Sequence, residues 1–325
     1  MRVAFFGTPH FAVPILASIS TAHQVVAVVC QPDKPRGRGL HPEPPPVKVW
    51  ASSHNLLVHQ PVKLHTGEFA EWLRAQAADV CVLAAYGRIL KSKILEIPTH
   101  GFLNVHPSLL PRFRGPAPIQ AALLAGDAET GVTIIRLTEE MDAGDILLQE
   151  STPISLEETA GELSERLARL GARMILEGLV LVETGKAVWR PQDHAKATFT
   201  RLLEKEDGAV RWNETAFQVH NRIRACQPWP VAFCSYHGET VRLHRSRLVP
   251  EADQDRLRGE FLSGPPGVVS ILDKRRRLFV TCGDVPLEIL ELQMPGRKKL
   301  SAAEFLRGHA ISTGDHFEDG PAHGC

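Results

Sequence analysis

The chain of 325 residues has no excess of either charge: 37 Lys and Arg balance 37 Asp and Glu. No global field draws it to nucleic acid or a lipid surface, so any such attraction has to be local. Long apolar runs are also missing. The first, Val3–Phe6, is too short for a signal-peptide core, and nothing later approaches the roughly 20 apolar residues of a membrane span. The six cysteines never stand in C-x-x-C spacing. That spacing argues against a disulfide framework or a zinc site and makes a reducing cytoplasm the expected setting. Neither G-x-G-x-x-G nor G-x-x-x-x-G-K-[ST] occurs, so no nucleotide cofactor is expected. G-x-S-x-G and H-E-x-x-H are absent as well, so neither a serine nucleophile nor a metal is expected.

What is present alternates. Arg2–Phe6, Val25–Cys30, Val80–Ala84, Phe102–Val105 and Gly131–Leu137 read as apolar strands. Between and after them Phe11–Ser20, Phe69–Gln76, Pro118–Ala125 and Gly161–Thr184 have helical spacing, the last with Leu163, Leu167, Leu170, Met174 and Leu181 on one side. Fully apolar strands alternating with helices predict an α/β fold, a doubly wound and mostly parallel sheet covered on both faces. We place this first domain at residues 1–189 and a linker at 190–205, which lacks periodicity and contains Pro191. Residues 206–312 change character. A helix over Glu214–Arg224, with Asn213 as its expected N-cap, precedes five short β-type runs, which predict a small barrel of the OB type. Residues 313–325, Gly-rich and acidic, read as a disordered tail.

The segment Asn104-Val105-His106-Pro107-Ser108-Leu109-Leu110-Pro111 stands at the end of an apolar strand. Residues two apart on a strand share a face, so Asn104 and His106 point one way and Val105 the other. Ligands bind such sheets at the C-terminal ends of their strands. An amide and an imidazole placed there can hold a carbonyl oxygen and move a proton. Asp142, in the turn after strand Gly131–Leu137, is a candidate third member, and equally suited to be an ordinary turn residue. The loop Gln31–His41 is long, basic and glycine-punctuated. It reads either as a solvated surface or as a grip on a substrate. The basic runs Lys274–Arg277 and Arg297–Lys299 read either as solvated turns or as phosphate contacts.

Taken together these residues resemble the methionyl-tRNA formyltransferases, within the 10-formyltetrahydrofolate-dependent formyltransferases. The segments that carry the resemblance run from Phe6-Gly7-Thr8-Pro9 through Gln31–Pro35 with Gly37-Arg38-Gly39, Ala85-Tyr86-Gly87, and Asn104–Gly115 to Met141–Asp145. In the second domain Arg224-Ala225-Cys226-Gln227-Pro228-Trp229-Pro230 adds to them. The resemblance implies a catalytic set of Asn104, His106 and Asp142. It implies folate contacts from Ser108, Leu109, Leu110 and Pro111, with a cis Leu110–Pro111 bond, and from Ala85, Tyr86, Gly87 and Ile89. It implies contacts with initiator methionyl-tRNA from Arg38, with Lys34, Arg36, Lys205, Lys274, Arg275, Arg297 and Lys298 assigned alongside it. The implied co-substrate is 10-formyltetrahydrofolate and the implied product is N-formylmethionyl-tRNA, made by a monomer. An amino sugar nucleotide or another small amine is the alternative acceptor.

Overall fold

Strand β1 (Arg2–Gly7) is apolar from Val3 to Phe6 and wholly buried over that run. Around it lie β2 (Gln24–Val29), β5 (Val58–His59), β6 (Val80–Ala84), β7 (Phe102–His106), β8 (Glu129–Arg136) and β9 (Ile146–Pro153), in the order β5-β2-β1-β6-β7-β8-β9. Pairing is parallel from β5 to β7 and antiparallel for β8 and β9. The computed structural model behind this description covers residues 1–36, 41–251, 264–274 and 276–321.

The pleat sorts the side chains of β7. Phe102, Asn104 and His106 share one face, and Phe102 packs there with Phe6, Tyr86 and with Phe69 and Leu73 of α3 (Gly67–Ala75). Val105 faces the other way, toward α6 (Ala160–Glu183). A Cβ on Gly171 of that helix would lie 2.6 Å from Val105 Cγ1. The close approach therefore requires glycine there.

The expected loop at Gln31–His41 holds a small hairpin. Its strands β3 (Lys34–Arg36) and β4 (His41–Glu43) pair antiparallel, Lys34 opposite Glu43 and Pro35 opposite Pro42. Its base is tied down by Asp33, which accepts from Lys48 Nζ at 2.8 and 2.9 Å and from Gln60 Nε2 at 2.7 Å. Those donors, Lys48 first, hold the Asp33 carboxyl below the usual range. Gly37, Arg38, Gly39 and Leu40 lie outside the described residues.

By compactness the chain forms two units. The first comprises Met1–Pro118, Glu129–Pro153 and Ser164–Arg201, and the second Ile119–Ala128, Ile154–Leu163 and the chain from Leu202. Residues 190–201 thus belong with the first unit and are not a free linker. Arg190 bridges Ile146, and Phe199 bridges Arg114 in parallel. The amides and carbonyls of this segment are used by its neighbours, a pattern that leaves no periodicity in the side chains.

In the second unit, α7 (Ala216–Ala225) starts with a capping box between Thr215 and Gln218, not at Asn213. β10 (Ala232–Tyr236), β11 (Glu239–Leu248), β12 (Val269–Leu272), β13 (Arg277–Thr281) and β14 (Pro286–Gln293) form an antiparallel sheet ordered β10-β11-β14-β13-β12. The expected disordered tail is instead built into this sheet as far as Gly320. Val269 N donates to Asp315 O at 2.8 Å on the β12 edge, and Ser235 N donates to Glu318 O at 3.0 Å on the β10 edge. One segment therefore joins both open edges and closes the sheet on itself. Phe317 is fully buried between them, Tyr236 Oη donates to Asp315 at 2.7 Å, and Asp319 accepts from Trp212 N at 2.9 Å. A single aromatic residue flanked by acids and glycines was too weak a signal to mark that segment as folded.

Candidate active site

Asn104 and His106 project from the end of β7, both buried. Because β8 runs antiparallel to β7, it ends beside Leu103, at the opposite end of β7 from His106. Asp142 reaches the site only because residues 137–144 fold back over the sheet. Arg136 N closes their base on Asp145 O at 2.9 Å. Asp142 has φ +49, in the left-handed region that Asp tolerates better than most residues. A Cβ on Gly144 would lie 1.7 Å from Arg136 O, so only glycine fits there.

The excursion delivers a carboxylate to both candidates. Asn104 Nδ2 donates to Asp142 Oδ1 at 3.1 Å. His106 Nδ1 lies 3.6 Å from Asp142 Oδ2, an ion-pair distance with room for a closer contact. Gly115 N donates to Oδ2 at 2.8 Å. On the other side of the ring, His106 Nε2 is 3.0 Å from Phe113 O. The three residues expected from the sequence thus meet at one point. Two backbone partners, Phe113 O and Gly115 N, were not anticipated; the only trace of them is the R-G-P step after Phe113.

The turn Ser108–Pro111 is held from beneath. Thr133 Oγ1 donates to Ser108 O at 2.6 Å and accepts from Leu110 N at 3.2 Å, and Gln149 Nε2 donates to Leu110 O at 2.8 Å. Leu110–Pro111 is cis, as expected. The Ser108 hydroxyl is buried and donates to Arg112 O at 2.7 Å, so it is committed within the turn. At the end of β6, Ala85 (φ +47) and Gly87 (φ +76) turn sharply and are exposed with Ile89. Tyr86, between them, is buried. Its ring is a core element with Phe6 at a 5.5 Å centroid distance, and burial raises its phenol to about 12. A cavity of about 500 Å³ opens beside Ile89, lined by Val62, Lys63, Leu64, His65, Thr66 and Arg88. A larger open depression, about 640 Å³, lies at Met1, His23 and Glu183 and contains none of the candidate residues.

The five described cysteines are buried. Burial raises Cys30 to about 11 and Cys226 to about 12, so neither offers a thiolate near neutral pH. Of the candidate tRNA contacts, Lys34, Lys205, Lys274, Arg297 and Lys298 are exposed. Arg38 and Arg275 lie outside the described residues, as does the side chain of Arg36.

Residues 1–179 match the formyl transferase family, and residues 202–310 match its C-terminal domain. The chain is 42% identical to the methionyl-tRNA formyltransferase of Sorangium cellulosum over 314 residues, 97% of this chain and 98% of that one. It is 43% identical to that of Thermus thermophilus over 314 residues, again covering 97% and 98%. The chain belongs to the methionyl-tRNA formyltransferase family. Among solved structures it resembles a sugar 3N-formyltransferase, WlaRD, with a TM-score of 0.65 over 92% of this chain and 99% of that one. At 17% identity that likeness speaks for the fold alone. Among the described residues, no helix in this family member is long and apolar enough to cross a membrane.

Proposed function

We propose that this protein moves the formyl group of 10-formyltetrahydrofolate to the α-amino group of methionine esterified to initiator tRNA, in the cytoplasm and as a single chain. The observation that carries the reading is the meeting of Asn104, His106 and Asp142 at the end of the inner strand β7, in a chain with full-length relatives of that name. All three groups come from one chain, so no second copy is needed.

The hydrogen bonds support a role for each residue. Attack of a neutral amine on a formyl carbon places negative charge on the formyl oxygen. Free α-amino groups titrate near pH 8, and an ester lowers that further, so no strong base is required for attack. Asn104 has one amide N–H engaged by Asp142 and one left to face that oxygen. Phe113 O can only accept, so Nε2 of His106 carries a proton and Nδ1 is the nitrogen that works. With a proton on Nδ1 as well, His106 would donate to the same oxygen. Asp142, directly or through water, takes the surplus amine proton, which passes on to the leaving nitrogen.

The surroundings fit the co-substrate. The exposed Ala85, Gly87 and Ile89 and the half-buried Leu109 offer apolar and backbone surface for a flat ring. The adjoining cavity has Lys63 and Arg88 on its rim, suited to the carboxylates of a folate tail. Exposed Arg297, Lys298, Lys274, Lys205 and Lys34, with Arg36, Arg38 and Arg275, are assigned to phosphates of the tRNA. The deciding experiment offers isotope-labelled formyl donor to methionyl-tRNA, to an amino sugar nucleotide and to water. Label in the aminoacyl-tRNA is expected. Transfer to the sugar with none to tRNA would overturn the acceptor assignment.

A further inference from the structure

Asp142 is held through its backbone as well as its carboxylate, and by a residue from outside the recognisable motifs. Gln192, 6% exposed, donates Nε2 to Asp142 O at 2.8 Å and to Gly144 O at 2.7 Å. Its Oε1 accepts from Arg114 Nε at 3.2 Å and Nη2 at 2.8 Å. Both amide protons meet carbonyls and the oxygen meets a cation, so the opposite amide orientation would set like against like.

Arg114 is itself 1% exposed, with Nη2 3.3 Å from His194 Nδ1 and Nη1 3.5 Å from Glu140 Oε1. Its backbone is stitched to the same segment: Arg114 N donates to Thr198 O and Thr200 N donates to Arg114 O, each at 2.8 Å. Phe113 N donates to Thr198 Oγ1 at 2.8 Å. Residues 192–200 thus grip both the turn that carries Asp142 and the segment that carries Phe113 O and Gly115 N.

We infer that Gln192 is a positioning residue for the reaction, fixing the Asp142 carboxylate against Asn104 and His106 by clamping the carbonyls on either side of Ala143. This rests on the catalytic reading of Asp142. The physical reason is that a left-handed residue in an eight-residue excursion has few local bonds to hold it. Two hydrogen bonds from one planar amide fix both translation and tilt. A misplacement of about 1 Å at such a group costs on the order of 100-fold in rate.

The test measures kcat and KM for formyl transfer to methionyl-tRNA in Gln192→Met, Gln192→Glu, Asp142→Asn and the double variant Gln192→Met/Asp142→Asn. Gln192→Met keeps the volume and removes every polar contact. Gln192→Glu keeps the length and the pairing with Arg114 and replaces the donors to the turn by a carboxylate oxygen that repels both carbonyls, so it carries the test should Gln192→Met not fold by circular dichroism. We expect kcat to fall about 10- to 100-fold in both, with KM for either substrate within about twofold. The double variant is expected to be no slower than Asp142→Asn alone, because Gln192 acts through Asp142. Wild-type kcat in the Gln192 variants beside an inactive Asp142→Asn overturns this inference and leaves the proposed mechanism standing, as do losses that multiply in the double variant. Wild-type turnover in Asp142→Asn overturns the mechanism itself.

Discussion

His106 Nε2 lies 3.0 Å from the carbonyl oxygen of Phe113, a residue at φ +60. This contact decides which side of the imidazole is left for the proposed chemistry. With Nε2 committed, Nδ1 is left on the side of Asn104 Nδ2 and Asp142 Oδ2, where a reacting carbonyl would be met by two donors and one acceptor at once.

Replacing any of Asn104, His106 or Asp142 by alanine is expected to lower kcat by about 100- to 1000-fold, the usual effect of removing one oxyanion donor or its partner. Equilibrium binding of folate, followed by fluorescence, should survive in all three. Near-wild-type turnover in one variant would remove that residue from the mechanism.

Phosphate contacts make tRNA binding salt-sensitive. Arg297→Ala and Lys298→Ala should each weaken tRNA binding and reduce the slope of log K against log salt by about 1. Folate binding should be unchanged. A slope equal to the wild type in both variants would assign those cations to solvent.

His220 supplies a pH dependence of stability in the second unit. Burial lowers its pKa below the ordinary 6.5, and Arg224 acts in the same direction, against the Leu156 carbonyl and Glu157, which raise it. Its Nε2 is 2.7 Å from Leu156 O and its Nδ1 is 2.9 Å from Ser246 Oγ, which fits the neutral ring with the proton on Nε2. Above pH 6.5 the ring is neutral folded or unfolded. As pH falls below 6.5 the unfolded chain takes up a proton that the folded chain resists, so stability declines until the folded-state pKa is passed. Melting temperatures from pH 7.5 down to 5 should fall less steeply in His220→Gln than in the wild type. Parallel curves would count against the assignment.

Phe317→Ala removes a fully buried ring from the tail segment. Such a change costs about 3–5 kcal/mol in a packed core. Calorimetry should show a lower melting temperature for the variant, whereas an unchanged one would mean that the segment does not contribute to the stability of the sheet.

The sequence exposed some of this design and hid the rest for physical reasons. The apolar strands β1, β2, β6 and β7 were legible because both faces of a parallel sheet are buried, which leaves unbroken Val, Phe and Leu runs. The shared face of Asn104 and His106 followed from the two-residue period alone. Asp142 stood level with an ordinary turn residue until the family resemblance was added, because an antiparallel β8 carries the following turn away from the end of β7 and only the fold-back restores it. Edge strand β9 was missed because its second half, Glu150–Pro153, is half solvated. Gln192 and Thr198 escaped because they act on backbone groups, and such bonds leave no periodic trace.

The strap of chain at residues 314–320 has one further consequence. Bare strand edges are templates for pairing with other molecules. A variant cut before Gly314 would present the edges of both β10 and β12, with the apolar cluster behind them. Its chief defect would then be self-association on standing or at high concentration, even where enough native protein remained to show full specific activity.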